Sequence, residues 1–357
     1  MNRPLPSASD TAHQLARILN GAWRPSPPAL DLSEHELAAV TPLLLGSGAG
    51  PLGWWKVRHS PLREIGPAQE LRQSYHSTAL EGVLQERHIG DAIRLLQLED
   101  IESILFKGWA IARFYPEPGL RPLGDIDLFV SPGLEDVAGR ILANEVPGRN
   151  SLDLVHDVPD VLRSSSWREM FDRSQRVTLG GTNVRIMGPE DHLAYLCVHF
   201  LKHGGWRPLW LADIALAVET RPPDFDWNLC FGPDLRRADW IACAIGVAHI
   251  LLGAEIAGTA VEHRARHLPR WLIPTVLREW EHPTIAGHTV PAPIGSVLSN
   301  PALWPRAARS RWLSPIEATI RIGGSFNALP RWPYQAADFA LQFVRFVRRW
   351  PGMRRQL

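Results

Sequence analysis

Cysteine is scarce: Cys197, Cys230 and Cys243 are the three in 357 residues, and they form no CxxC pair. That argues against a disulfide-stapled secreted scaffold and a cysteine-based zinc module, and suits a reducing compartment with buried thiols. A surplus of one charge is also missing, since 38 Lys and Arg stand against 37 Asp and Glu. Without a global basic field a long nucleic acid is not the default partner, although a local basic groove stays open. No run approaches the ~18 apolar residues of a membrane span, and residues 1–23 lack the apolar centre of a signal peptide. The expectation is a cytoplasmic protein without a membrane span. GxxxxGK[ST] and HExxH are absent too, which removes a P-loop and the common helical zinc motif.

What remains is ordinary globular material, 45% hydrophobic and 21% charged, in a chain too long for one small core. Residues 11–20 and Asp31 to about Leu45 read as helices, and LGSGAGPLG (45–53) reads as a loop. Gly48 to Gly53 matches GxGxxG, but without a preceding strand or an evident helix behind Pro51 it does not read as a dinucleotide site. From Pro67 to Leu98 apolar residues recur at helical spacing, in one or two helices. The period then changes. Residues 101–106, 125–130 and 151–156 read as strands, 109–115 and 134–143 as helices, and 176–179 with 183–186 as a hairpin around Gly180-Gly181. Behind Pro189 the chain turns helical, over 190–203, 209–220, 234–253, 258–267, 270–280 and 334–349. The division expected is a helical extension over 1–66, an α/β or α+β catalytic core over 67–188 and a mainly helical domain over 189–357. The aromatic stripe of the last helix is expected to pack on the helical domain, with its arginines in water.

The chemistry is expected in the second strand. Asp125 and Asp127 alternate with Ile126 and Leu128, so period two puts both carboxylates on one side and the apolar residues on the other. Side-by-side carboxylates are unfavourable unless a cation offsets them, and oxygen-only ligation suits Mg²⁺. A pair of such ions can clamp the attacking and leaving oxygens of in-line displacement at phosphorus. A bare DxD is common and often only faces water, so its neighbours decide. Lys107-Gly108 ends one strand and opens a helix, Arg121 lies in the loop between, and Asp153 occurs on another strand. His199 and His203 share a helix face with Asp213 on the next helix; they read as a polar seam or a substrate contact rather than as a zinc site.

The stretch ILFKGWAIARFYPEPGLRPLGDIDLFV resembles the signature of the uncharacterised nucleotidyltransferases of bacteria, a branch of the polymerase-β-like superfamily. The residues that carry the likeness are Lys107-Gly108, Tyr115-Pro116, Arg121 and Asp125-Ile-Asp-Leu. Leu152-Asp-Leu-Val-His is similar to the family's Asp-Leu-His strand with Val155 inserted, and Gly188 through His199, His203, Trp206, Trp210 and Asp213 to its helical His/Trp/Asp segment. The likeness covers roughly residues 70–220. Trp109 departs from the Ser or Gly that the wider superfamily carries after the glycine.

The resemblance implies a polymerase-β-like α+β core with a helical C-terminal region. It implies Mg²⁺-dependent transfer of a nucleoside monophosphate from an NTP to a hydroxyl or phosphate of a small molecule, peptide or protein. Alternatives are a toxin-like transferase acting on tRNA or protein, and a non-catalytic nucleotide-binding scaffold. Asp125, Asp127 and Asp153 would hold two Mg²⁺ ions, with Asp153 helping to deprotonate the acceptor; Lys107, Gly108 and Arg121 would meet the triphosphate. On this reading Asp127→Asn abolishes transfer and leaves the fold intact or slightly more stable, by relief of carboxylate repulsion.

Overall fold

The computed structural model describes residues 8–145, 152–155, 166–281 and 313–353. Three helices open it: α1 (Ala8–Leu19), α2 (Glu34–Ser47) and α3 (Gly50–Val57). Ser33 and Glu36 close a reciprocal capping box at the start of α2, and Gly48 in the left-handed conformation ends it. The sequence suggests a loop over 45–53, but α3 begins inside it. Pro51 sits in the first helical turn, where its missing N–H is no loss. Gly53 lets the helix approach closely, because a Cβ there would lie 3.0 Å from Leu44 and 3.2 Å from Leu71. The GxGxxG match is therefore a packing feature.

A 33-residue helix, α4 (Gly66–Leu98), leads into the sheet. Its strands are β1 (Ser103–Phe106), β2 (Ile126–Val130), β3 (Leu152–Val155), β4 (Gln175–Leu179) and β5 (Thr182–Ile186), in the order β3-β2-β1-β5-β4. β1 runs antiparallel to β2 and parallel to β5; β2 and β3 are parallel, and β4-β5 is a hairpin. Between them lie α5 (Gly108–Ala112), α6 (Glu135–Glu145) and α7 (Trp167–Arg173). The helical part follows as α8 (Pro189–Lys202), α9 (Pro208–Glu219), α10 (Trp227–Phe231), α11 (Leu235–Leu252), α12 (Glu262–Arg266), α13 (Leu272–Glu281), α14 (Pro315–Arg321) and α15 (Trp332–Met353). The sequence patterns missed α7, α10 and α14, which are one or two turns long and too short for periodicity to register.

Period two sorts the sheet's two faces. Ile126, Leu128 and Val130 pack with Leu105 against Ile89, Ile93 and Leu96 of α4 and Leu142 of α6. Phe106 and Phe129 face the other way, into a core that runs through Leu15 and Ile18 of α1, Phe200 of α8, Leu211 of α9 and Val276 of α13. Asp127 therefore belongs to the face that looks at α8 and α9. The last helix departs from expectation: Leu341, Phe343 and Val344 are 48%, 60% and 45% exposed, so its stripe is only partly covered.

Candidate functional site

Asp125 lies immediately ahead of β2 and is exposed, while Asp127 is inside the strand and 6% exposed. Antiparallel pairing of Phe106 with Asp127 brings the end of β1 against the start of β2. The turn that follows β1 thus lands beside the carboxylates: a Cβ on Gly108 would meet the Asp125 carbonyl at 3.6 Å. Lys107 adopts φ 54°, ψ −141°, a conformation that favours glycine, and Gly108 follows at φ 20°. The chain accepts this because the turn is fastened at three points. The Lys107 N–H donates to His192 Nε2 at 3.2 Å, its carbonyl accepts from Ile111, and its ammonium lies 2.7 Å from Asp127 Oδ1.

Burial pulls the Lys107 ammonium towards its neutral form, but Tyr195 and Asp127 outweigh it and the net shift is upward. Nζ also stands 5.2 Å from the Tyr195 ring and 5.4 Å from the Phe106 ring. Burial drives the His192 imidazole down to about 3, helped by Arg121 and Arg113. It is therefore neutral at neutral pH, and as the acceptor of the Lys107 N–H it carries its proton on Nδ1. His192, Tyr195 and His199 stand at i, i+3 and i+7 on α8, one stripe facing the turn. That spacing is present in the sequence, but on a helix this apolar nothing local separates His192 and Tyr195 from ordinary core residues.

Arg121 requires a correction. The sequence placed it towards a triphosphate; the structure turns it inward. Its Nη2 and Nε reach Asp213 Oδ2 and Oδ1 at 3.0 and 3.3 Å, and the Tyr115 hydroxyl donates to the same carboxylate at 3.0 Å. Asp213 is fully buried and Arg121 is 8% exposed. Burial disfavours the guanidinium's charge, but Asp213 prevails and raises its pKa. An arginine committed in two places to a buried carboxylate cannot swing to a ligand without stranding that charge. Its work is to tie the loop ahead of Asp125 to α9.

Asp153 stands opposite Asp127 in the parallel register of β2 and β3. His199 stacks on Tyr195 with rings 5.6 Å apart and lies 4.5 Å from both His203 and Trp210. Burial, then Lys107 and His203, hold its imidazole well below the usual range. Asp213, the third member considered for a zinc site, is taken by Arg121 and Tyr115. Among the described residues no group of three or more His, Cys, Asp and Glu could hold a metal ion.

The sheet is thus mixed and five-stranded, with Asp125 and Asp127 at the start of β2 and the Lys107 turn beside them. The family model described as uncharacterised nucleotidyltransferase matches residues 47–146 and 143–240, more than half of the chain. The chain belongs to that family. No curated protein matches it. The crystal structure of an antigenic nucleotidyltransferase-like protein from Paracoccidioides brasiliensis is similar over 50% of this chain and 97% of that one, at 15% identity and a TM-score of 0.34. No helix among the described residues is long and apolar enough to cross a membrane.

Proposed function

We propose that this protein moves a nucleoside monophosphate from an NTP to a hydroxyl or phosphate of an acceptor. One observation carries the reading. Asp127 is on the sheet face that looks at α8, one strand period from Asp125 and level with Asp153, with an ammonium 2.7 Å away. Asp125 and Asp127, one strand period apart, are ligands of the kind that a hard divalent cation such as Mg²⁺ takes together with substrate phosphates. Asp125, Asp127 and Asp153 are the residues that would hold it, two ions being the expected number. Bound there, it would supply charge for the reacting phosphate and the leaving pyrophosphate.

The remaining roles belong to the chain itself. Lys107 would place its ammonium between Asp127 and the triphosphate, offsetting the charge of both. Gly108 would let the backbone come close to the phosphates. His192 fixes the Lys107 peptide, and Arg121 with Asp213 fixes the loop on which Asp125 sits. The acceptor oxygen would form a bond to the α-phosphorus while the bond to pyrophosphate breaks, its proton passing to Asp153. Catalysis of this kind is mostly positioning and electrostatics.

The test is thermal unfolding with each NTP, with and without Mg²⁺, on wild type and on Asp125→Ala/Asp127→Ala. A ligand that binds only the folded state stabilises it by mass action. A Mg²⁺-dependent rise with one NTP, lost in the double variant, is the expected result. A rise that needs no Mg²⁺ and survives the double variant would leave the non-catalytic scaffold standing instead.

A further inference from the structure

Away from the carboxylates, the link between α12 and α13 and the loop between α14 and α15 line an open, solvent-facing cleft of about 720 Å³. That loop has no regular secondary structure, yet its walls are fixed. Its carbonyls from Gly323 to Asn327 accept from Arg236, Trp240, Arg331, Arg264 and Trp271, and Leu329 accepts from Arg331. A cleft of this size with walls pre-set by side-chain donors is typical of small-molecule sites.

The charge on its lining is unbalanced. Arg264 is neutralised by Asp239. Arg331 is 6% exposed, and among the described residues its acceptors are all neutral: the Leu329 and Ser325 carbonyls, Asn327 Oδ1 and the Tyr334 hydroxyl. Among the described residues no carboxylate pairs with it. Its guanidinium lies between two rings, 4.9 Å from the centre of Trp271 and 4.1 Å from that of Tyr334. Such stacking softens the penalty of burying a cation but supplies no counter-charge. Arg270 stands exposed on the same lining, beside half-buried Leu268 and exposed Leu329.

We propose that this cleft binds an organic anion, its oxygen-rich headgroup set against Arg331 and Arg270 and its flat apolar body against Trp271, Leu268 and Leu329. The missing counter-charge and the apolar wall then belong to one ligand. The site stands independently of the nucleotidyl-transfer reading, because it shares no residue with the carboxylate region.

The probe is 1-anilinonaphthalene-8-sulfonate, a ring system with one sulfonate, titrated into the full chain and followed by its fluorescence. Its uncharged counterpart N-phenyl-1-naphthylamine serves as the competitor. Saturable one-to-one binding is expected, weakened roughly tenfold or more in Arg270→Glu, the scale of a lost charge-assisted contact. The uncharged competitor should displace the probe poorly, and Asp125→Ala/Asp127→Ala should bind it as wild type does. Arg331→Gln should act in the same direction as Arg270→Glu. Since Arg331 also braces the loop, Arg270→Glu, at an exposed position, is the deciding variant. Absence of saturable binding, equal competition by the uncharged compound, or unchanged affinity in folded Arg270→Glu would each overturn the proposal.

Discussion

The Asp127 carboxylate and the Lys107 ammonium stand 2.7 Å apart in a largely buried setting, so neither can be changed without affecting the other. From the sequence, two neighbouring carboxylates repel, so Asp127→Asn would relieve strain. In the structure Asp127 balances the Lys107 ammonium, whose side chain is 20% exposed. The expected cost of Asp127→Asn is about 1–3 kcal/mol, the scale for stranding a charged hydrogen-bonding group. Urea denaturation reads it. Lys107→Met/Asp127→Asn should recover part of the loss, because removing both partners strands neither. His192 makes a second prediction through its protons. Its folded pKa of about 3 lies below the ~6.5 of an exposed imidazole. Between those values the unfolded chain binds the extra proton, so stability falls as pH drops through that window. The slope approaches 1.4 kcal/mol per pH unit, to order of magnitude. His192→Gln should flatten it when denaturation is compared at about pH 7 and about pH 4.5. Some slope should survive, because His199 is shifted in the same direction.

At the scale of elements, the loop from Pro116 to Gly124 is pinned from two sides. Asp213 on α9 holds Arg121 and Tyr115, so Asp213→Ala would strand a buried guanidinium. The expected loss is roughly 3–5 kcal/mol in thermal or urea unfolding. On the other side Gly119, at φ 88°, passes so near α4 that a Cβ would lie 2.6 Å from Ala79 Cβ. Gly119→Ala should cost about 1–3 kcal/mol, since α4 has to shift and the backbone conformation is disfavoured. The strands and the long helices were legible in the sequence because period two and period 3.6 leave a mark over many residues. That Asp125, Asp127 and Lys107 stand close together is legible for a related reason: they lie within one turn and one strand, where chain order sets neighbourhood. Arg121 was misread because its partner is 92 residues away, and nothing local distinguishes a buried arginine from one aimed at a phosphate. α3 was missed because glycine and proline break helices in general, and only tight packing against Leu44 and Leu71 shows why here they open one.

Over the whole molecule the turn beside the carboxylates is fastened by α8, and the loop ahead of Asp125 by α9. The first helices are fastened from afar as well. Trp23 Nε1 and the Arg24 guanidinium both donate to Glu219 at the end of α9, a separation of 196 residues for Trp23. α1 also packs on α13. On a ribosome, α1 can meet α2 and α3 early, but the part of its apolar side that faces α11 and α13 stays uncovered until residues 235–281 have been made. Contacts of such span close slowly, because the entropy of a long loop is lost before they form. A nascent chain stalled near residue 200 should thus expose that part of α1 to chaperones and proteases, and become resistant only once α13 has emerged.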